Sequence, residues 1–144
     1  MNTAPEHQRR RSPTVAATVT MAALLGACAS APLPSSRATL LEPANGAVLS
    51  SPFKVRFGVA GMTVAPAGTM TAGTGHHHLL IDQQPVASGQ VVPTTPKHIH
   101  FGAGQTETLV TLQPGTYKLT AQFANGAHQS YGPAMSDTIT VTVK

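Results

Sequence analysis

The sequence predicts an all-β fold, an immunoglobulin-like antiparallel β-sandwich of about six or seven strands, and three observations predict it. Beyond residue 39 apolar residues recur with a period of two, and no stretch of 11 or more residues carries the 3.6-residue spacing of an amphipathic helix. Thirteen Gly, twelve Pro and many Thr, with only 10% charged residues, suit strands and turns rather than a coiled coil. Turn signals at Asn45-Gly46, Pro66 to Gly75, Pro93 to Pro96 and Asn125-Gly126 fall at the spacing of a sandwich. A small barrel built from the same strands is the alternative architecture.

Residues 1–27 read as a lipoprotein signal peptide. Arg9 to Arg11 precede a small, apolar run from Val15 to Ala27, too short and too rich in Thr and Ala for a membrane span of ~20 residues. Leu25-Gly26-Ala27-Cys28 resembles the lipobox of bacterial lipoproteins, in which the Cys is acylated and becomes the new N-terminus. Cys28 is the single Cys of the chain, so an intrachain disulfide is impossible and lipidation gives the thiol a role. Residues 28–38 read as the lipidated Cys and a flexible tether, and residues 39–144 as the domain. Ala29 after the Cys implies, by resemblance to lipoprotein sorting, the outer membrane. The expected address is therefore the periplasmic face of the cell envelope, reached through a lipid anchor.

Along the domain, Phe53, Val55, Phe57 and Val59 share one face of a strand, with Lys54 and Arg56 on the other. Leu109 to Leu112 and Thr116 to Phe123 flank Pro114-Gly115 and read as a hairpin, with Tyr117, Leu119, Ala121 and Phe123 inward. Thr138 to Val143 places Ile139, Val141 and Val143 inward. From Cys28 onward six basic residues (nine minus Arg9, Arg10 and Arg11) face four acidic ones (five minus Glu6), a net charge of +2 with no Lys/Arg cluster. Nucleic acid is thereby an unexpected partner, and a monomer is expected.

The chemistry concentrates in His76-His77-His78 and His98-Ile99-His100. In a strand, alternation puts His76 and His78 on one face with Leu80 and Asp82, and His77 on the other with Leu79 and Ile81. If the two His segments are neighbours, His76, His78, His98 and His100 converge on a Cu or Zn ion, with His128 as a further ligand. Met62 and Met70 read first as loop packing and second as soft ligands. The competing reading of the imidazoles is structural: rings hydrogen-bonded to carbonyls, Asp82 or Glu107 that brace the loops.

Several segments together, Val64-Ala65-Pro66-Ala67-Gly68, Gly73-Thr74-Gly75-His76-His77-His78-Leu79-Leu80-Ile81-Asp82, His98-Ile99-His100-Phe101-Gly102 and Gly104-Gln105-Thr106-Glu107, resemble the bacterial family known as domain of unknown function 4399. The resemblance runs from about Leu41 to Lys144. It implies a small exported protein with a common site at His76, His77, His78, His98, His100, Gln105, Thr106 and Glu107. The chain departs from the family where members carry Gly-Asp before a His and a second His soon after; here Asn125-Gly126-Ala127-His128 leads into Ser130-Tyr131. Glu107 is expected to orient an imidazole as an outer acceptor.

These observations lead to a non-catalytic envelope lipoprotein whose His-rich site binds a transition metal or small ligand. A purely structural module is the alternative. A metal-dependent enzyme of superoxide dismutase type is the second alternative, on the His-Ile-His-Phe-Gly run alone, since hydrolase and kinase signatures are absent.

Overall fold

The structure, a computed structural model, describes Met1 and residues 35–144; the expected signal segment, Cys28 and most of the expected tether lie outside the described residues. The chain divides into two units, Met1–Ala31 and Pro32–Lys144, and every strand among the described residues belongs to the second. These strands are β1 (Arg37–Glu42), β2 (Val48–Leu49), β3 (Phe53–Ala60), β4 (Thr63–Val64), β5 (Thr74–Ile81), β6 (His98–His100), β7 (Glu107–Val110), β8 (Gly115–Ala124) and β9 (Ser136–Val143). Among the described residues no helix is long and apolar enough to cross a membrane.

The strands form a β-sandwich. One sheet has the order β1-β3-β7, and the other β2-β9-β8-β5, with β4 and β6 both on the free edge of β5. Long pairings are antiparallel; β2 on β9 and β4 on β5 are two-residue parallel contacts. Two of the strands are thus too short to leave an alternating pattern, which is why the sequence count falls below nine. Counting β1, β3, β5, β6, β7, β8 and β9, the first, second and fifth share one sheet and the third, sixth and seventh the other, as in the immunoglobulin arrangement, whereas the fourth, β6, pairs with β5 and does not join the first sheet.

The core lies between the sheets. Phe53, Val55 and Phe57 of β3 meet Leu79 and Ile81 of β5, Leu119 and Ala121 of β8, and Ile139, Val141 and Val143 of β9. Ala38 is fully buried beside Phe123 and Met135, so β1 takes in the last two residues of the segment read as tether. On the outer face of the small sheet Lys54 pairs with Glu107 at 3.0 Å and Arg56 with Glu42 at 2.9 Å. These half-exposed pairs contribute at most about 1 kcal/mol each.

The expected hairpin about Pro114-Gly115 is not one: β7 pairs with β3 in the small sheet, and β8 with β5 and β9 in the large one. The turn is an arch that carries the chain from one sheet to the other. Tyr117 fixes it by donating its hydroxyl hydrogen to the Gln113 carbonyl at 2.9 Å, the kind of tyrosine corner found where immunoglobulin-type sandwiches cross between sheets. Strand, Pro-Gly and strand look alike in sequence for both geometries.

The outer face of the large sheet is not left to solvent. Leu80 packs with Val86, Val92 and Ala124 beneath the segment that follows β5. Gln122, also outward, is fully buried; its side chain accepts from the Val86 N–H at 3.0 Å and donates to the carbonyls of Gly132 and Met135 at 3.2 and 3.3 Å. This cover turns one end of an outward face into a walled site.

Candidate metal centre

Alternation along β5 divides the triple His as the sequence reading expects. His77 points into the core, stacked on Phe57 (ring centroids 5.0 Å apart, planes 17° apart) and edge-on to Phe123 at 4.9 Å. His76 and His78 point to the opposite, covered face and are 0% and 1% exposed. Their Nε2 atoms lie 3.1 Å apart.

The register of β6 supplies the third ring. His78 faces His100 across the antiparallel pair, and Leu80 faces His98. His100 therefore joins the β5 pair, whereas His98, two residues further along, is carried away from His76. His98 Nδ1 instead lies 2.8 Å from the Thr95 hydroxyl. It shares a face with His100 but does not reach the cluster.

His128 supplies the fourth ring from a tight turn after β8. Its backbone adopts the left-handed conformation (φ 65), which costs a residue with a Cβ roughly 1–2 kcal/mol and is held here by its neighbours. Asn125 Oδ1 accepts from the N–H groups of Ala127 and Gln129, and the His128 carbonyl accepts from Val92 N–H, each at 2.9 Å. The result brings His128 Nε2 to 3.2 Å from His100 Nε2. Ligand nitrogens of His76, His100 and His128 all lie within 4.8 Å of one another, close enough for three His to hold one ion.

Three backbone approaches lock this geometry. A Cβ on Gly102 would overlap the His100 ring, so the glycine forms the floor on which that imidazole lies. One loop then ties both outer ligands together: Ala67 N–H donates to the Gly102 carbonyl and Gly68 N–H to the Gly126 carbonyl, both at 2.8 Å. Gly126 in turn has no room for a Cβ beside the Thr69 backbone. Spacing alone shows Gly102 only as a turn; the close approach is the functional signal. Gly102→Ala is expected to leave the fold intact, since its φ is not in the left-handed range, and to weaken metal binding about 10–100-fold by displacing His100. Calorimetric titration beside a circular dichroism spectrum checks this.

The electrostatics favour the ligand form of the rings. Burial, then the neighbouring His100 and His128, hold the His76 pKa down at about 4. Burial, with His76 as the largest of four imidazole neighbours, holds His78 at about 3. Burial followed by His128 lowers His100 as well. Neutral imidazole, which a metal requires, is therefore the native state well below the ordinary value of 6.5.

The expected outer partners are elsewhere. Asp82, in the left-handed region at the end of β5, accepts from Lys118 N–H at 2.9 Å. Gln105 accepts from Ala103 N–H at 3.0 Å, and the Thr106 carbonyl from Phe57 N–H at 2.8 Å. Glu107 belongs to the Lys54 ion pair on the other sheet. All four serve turns and strand edges, because alternation gives a side chain's face but not the sheet its strand joins. Met62 packs against the Ala38 cluster and Met70 is exposed. A shallow hollow of about 300 Å³ lined by Lys54, Glu107, Thr108 and Leu109 lies on the small sheet and contains none of this chemistry.

The family described as Domain of unknown function (DUF4399) matches residues 55–144, a span that includes all four clustered rings and both glycine contacts. No curated protein and no solved structure matches the chain.

Proposed function

The chain belongs to the DUF4399 family, and we propose that it is a non-catalytic envelope lipoprotein whose His76, His78, His100 and His128 bind a transition-metal ion. One observation carries this reading. Among the described residues, the ring nitrogens of these four hydrogen-bond only to one another, and the Nδ1 atoms of His76 and His78 have no partner. A bracing network requires carbonyl or carboxylate acceptors for buried imidazoles. A proton shared between two facing Nε2 atoms joins one donor to one acceptor and so links the rings only in pairs, whereas a cation takes a lone pair from each of several rings at once, each ring then carrying its N–H on Nδ1. Within each of the two pairs, spacings of 3.1 and 3.2 Å suit an ion at ~2.0–2.1 Å from both nitrogens, with N–metal–N angles of roughly 95–106°, and the nitrogens of His76, His100 and His128 gather within 4.8 Å of one another, with His78 joined to the group through His76.

Elemental analysis of the protein purified without a tag tests the reading, and about one equivalent of Cu or Zn per chain is expected. Failure to bind either ion below about 10 micromolar, roughly 7 kcal/mol on the affinity scale, sinks it in favour of a structural cluster.

The lipid anchor rests on the order of basic residues, apolar run and Leu25-Gly26-Ala27-Cys28. Cys28→Ala is expected to abolish fatty-acid labelling and to move the protein from the membrane to the soluble fraction. Unchanged labelling and fractionation overturn the anchor.

A further inference from the structure

We infer that the four imidazoles form a closed tetrahedral site for Zn(II), with every coordination position filled by the protein. This rests on the metal-binding reading above and adds the geometry and the ion.

The ring-to-ring distances carry it. With Nε2 at ~2.0–2.1 Å from an ion, an imidazole centroid lies roughly 3.2 Å from that ion, so a tetrahedron sets all six centroid pairs about 5.2 Å apart. A square plane sets four pairs at about 4.5 Å and two at about 6.4 Å, and the two long pairs share no ring. The observed values are 4.7 Å for His100 with His128, 4.8 Å for His76 with His78, and 4.9 and 5.0 Å for His76 with His100 and His128. His78 lies 5.1 Å from His100 and 6.0 Å from His128. There is one long edge, and the pair opposite to it, His76 with His100, is short at 4.9 Å. This is a tetrahedron opened along the edge that joins His78 to His128: the ligand nitrogens of His76, His100 and His128 already lie within 4.8 Å of one another, and His78 completes the fourth position by moving toward His128.

The scaffold resists flattening. His76 and His78 stand on β5, which is paired with β8 from His76 to Ile81. His100 lies against Gly102, and the turn holding His128 is fixed by Asn125. Zn(II) has no geometric preference from its d electrons and takes tetrahedral nitrogen sites, whereas Cu(II) favours tetragonal ones. Cu(I) is selected by sulfur, and none is in the set. A catalytic zinc keeps a position for water or substrate; four protein nitrogens leave none.

Co(II), a visible stand-in for Zn(II), tests this on the full chain purified without a tag. Expected are the intense d–d bands of tetrahedral Co(II), their loss on adding one equivalent of Zn(II), and no change on adding azide. His78→Ala is expected to open a position, so that azide then shifts the spectrum. Weak six-coordinate bands, an azide response in the wild type, or a His78→Ala spectrum identical to wild type overturns the closed tetrahedron and leaves metal binding standing. Absence of both Co(II) and Zn(II) uptake overturns the tetrahedral zinc site, and absence of Cu uptake as well overturns the metal-binding reading with it.

Discussion

His76→Ala lowers Zn(II) affinity by about 100–1,000-fold, while His77→Ala leaves affinity within a few-fold of wild type and lowers stability instead. The first figure follows from sharing the ~10–16 kcal/mol of a structural zinc site among four ligands, ~2.5–4 kcal/mol each. The second follows from the face His77 occupies: it touches Phe57 and Phe123 in the core, so truncation leaves a cavity costing about 2–4 kcal/mol, offset in part by the desolvation relieved with its unpartnered ring nitrogens. His98→Ala changes neither quantity by much, because its ring is held by Thr95 away from the cluster. Calorimetric titration gives the affinities, and thermal unfolding with and without Zn(II) gives a second readout. Zinc at 100 times its dissociation constant stabilises the wild type by ~2.7 kcal/mol, on the order of 10 °C for a domain of this size, and does not stabilise His76→Ala. Equal loss for His76→Ala and His77→Ala would mean that β5 is not a regular strand at the triple His. A large loss for His98→Ala would mean that β6 pairs in another register.

How far the site could be read in advance depended on which rule each residue obeys. The split of His76 and His78 from His77 needs only the two-residue period of a strand, and the structure follows it. Grouping His98 with His100 used the same period correctly, since they share a face, but the cluster also depends on register. Pairing His78 with His100 sends His98 toward Leu80, and no local pattern fixes that offset. His128 was visible as a candidate because it follows Asn125-Gly126, yet its left-handed backbone and its approach to His100 come from contacts with Val92 and with the loop at Gly68. Burial was the least legible quantity. His76, His78 and Gln122 lie on a face that alternation marks as outward, and they are buried because His100 and His128 close over the two rings and Val86 with Gly132 to Met135 closes over Gln122. The sheet to which a strand belongs was equally hidden: Glu107 follows the His segment closely in sequence and ends up beside Lys54.

Acid is expected to destabilise the metal-free protein as pH falls from about 6.5 toward 4, and His77→Leu is expected to reduce this. Above pH ~6.5 the imidazoles are neutral in both the folded and the unfolded chain, so pH has no leverage on them. Below it the unfolded chain takes up a proton on each ring, whereas the folded chain does not until about pH 4 for His76 and His77 and about pH 3 for His78. More protons are bound by the unfolded state, so stability falls as pH falls through this window. At pH 5 each ring held neutral costs about 2 kcal/mol, and three together approach the 5–15 kcal/mol that stabilises an ordinary domain. His77 differs from its neighbours because neither ring nitrogen has a hydrogen-bond partner and no other imidazole shares its pocket of Phe57 and Phe123. Leu fills nearly the same volume without a buried polar atom, so His77→Leu gains roughly 1–3 kcal/mol at pH 7.5 from the removed desolvation, less up to about 1.5 kcal/mol of lost ring stacking. It also removes up to one proton from the pH dependence, so the gain over wild type widens by about 1.2 kcal/mol per pH unit between pH 6 and 4.5. Denaturant unfolding of both proteins across that range, with chelator present, measures the two slopes. Parallel slopes would show that His77 is already protonated or hydrogen-bonded in the folded chain, and the core around Phe57 would have to be polar.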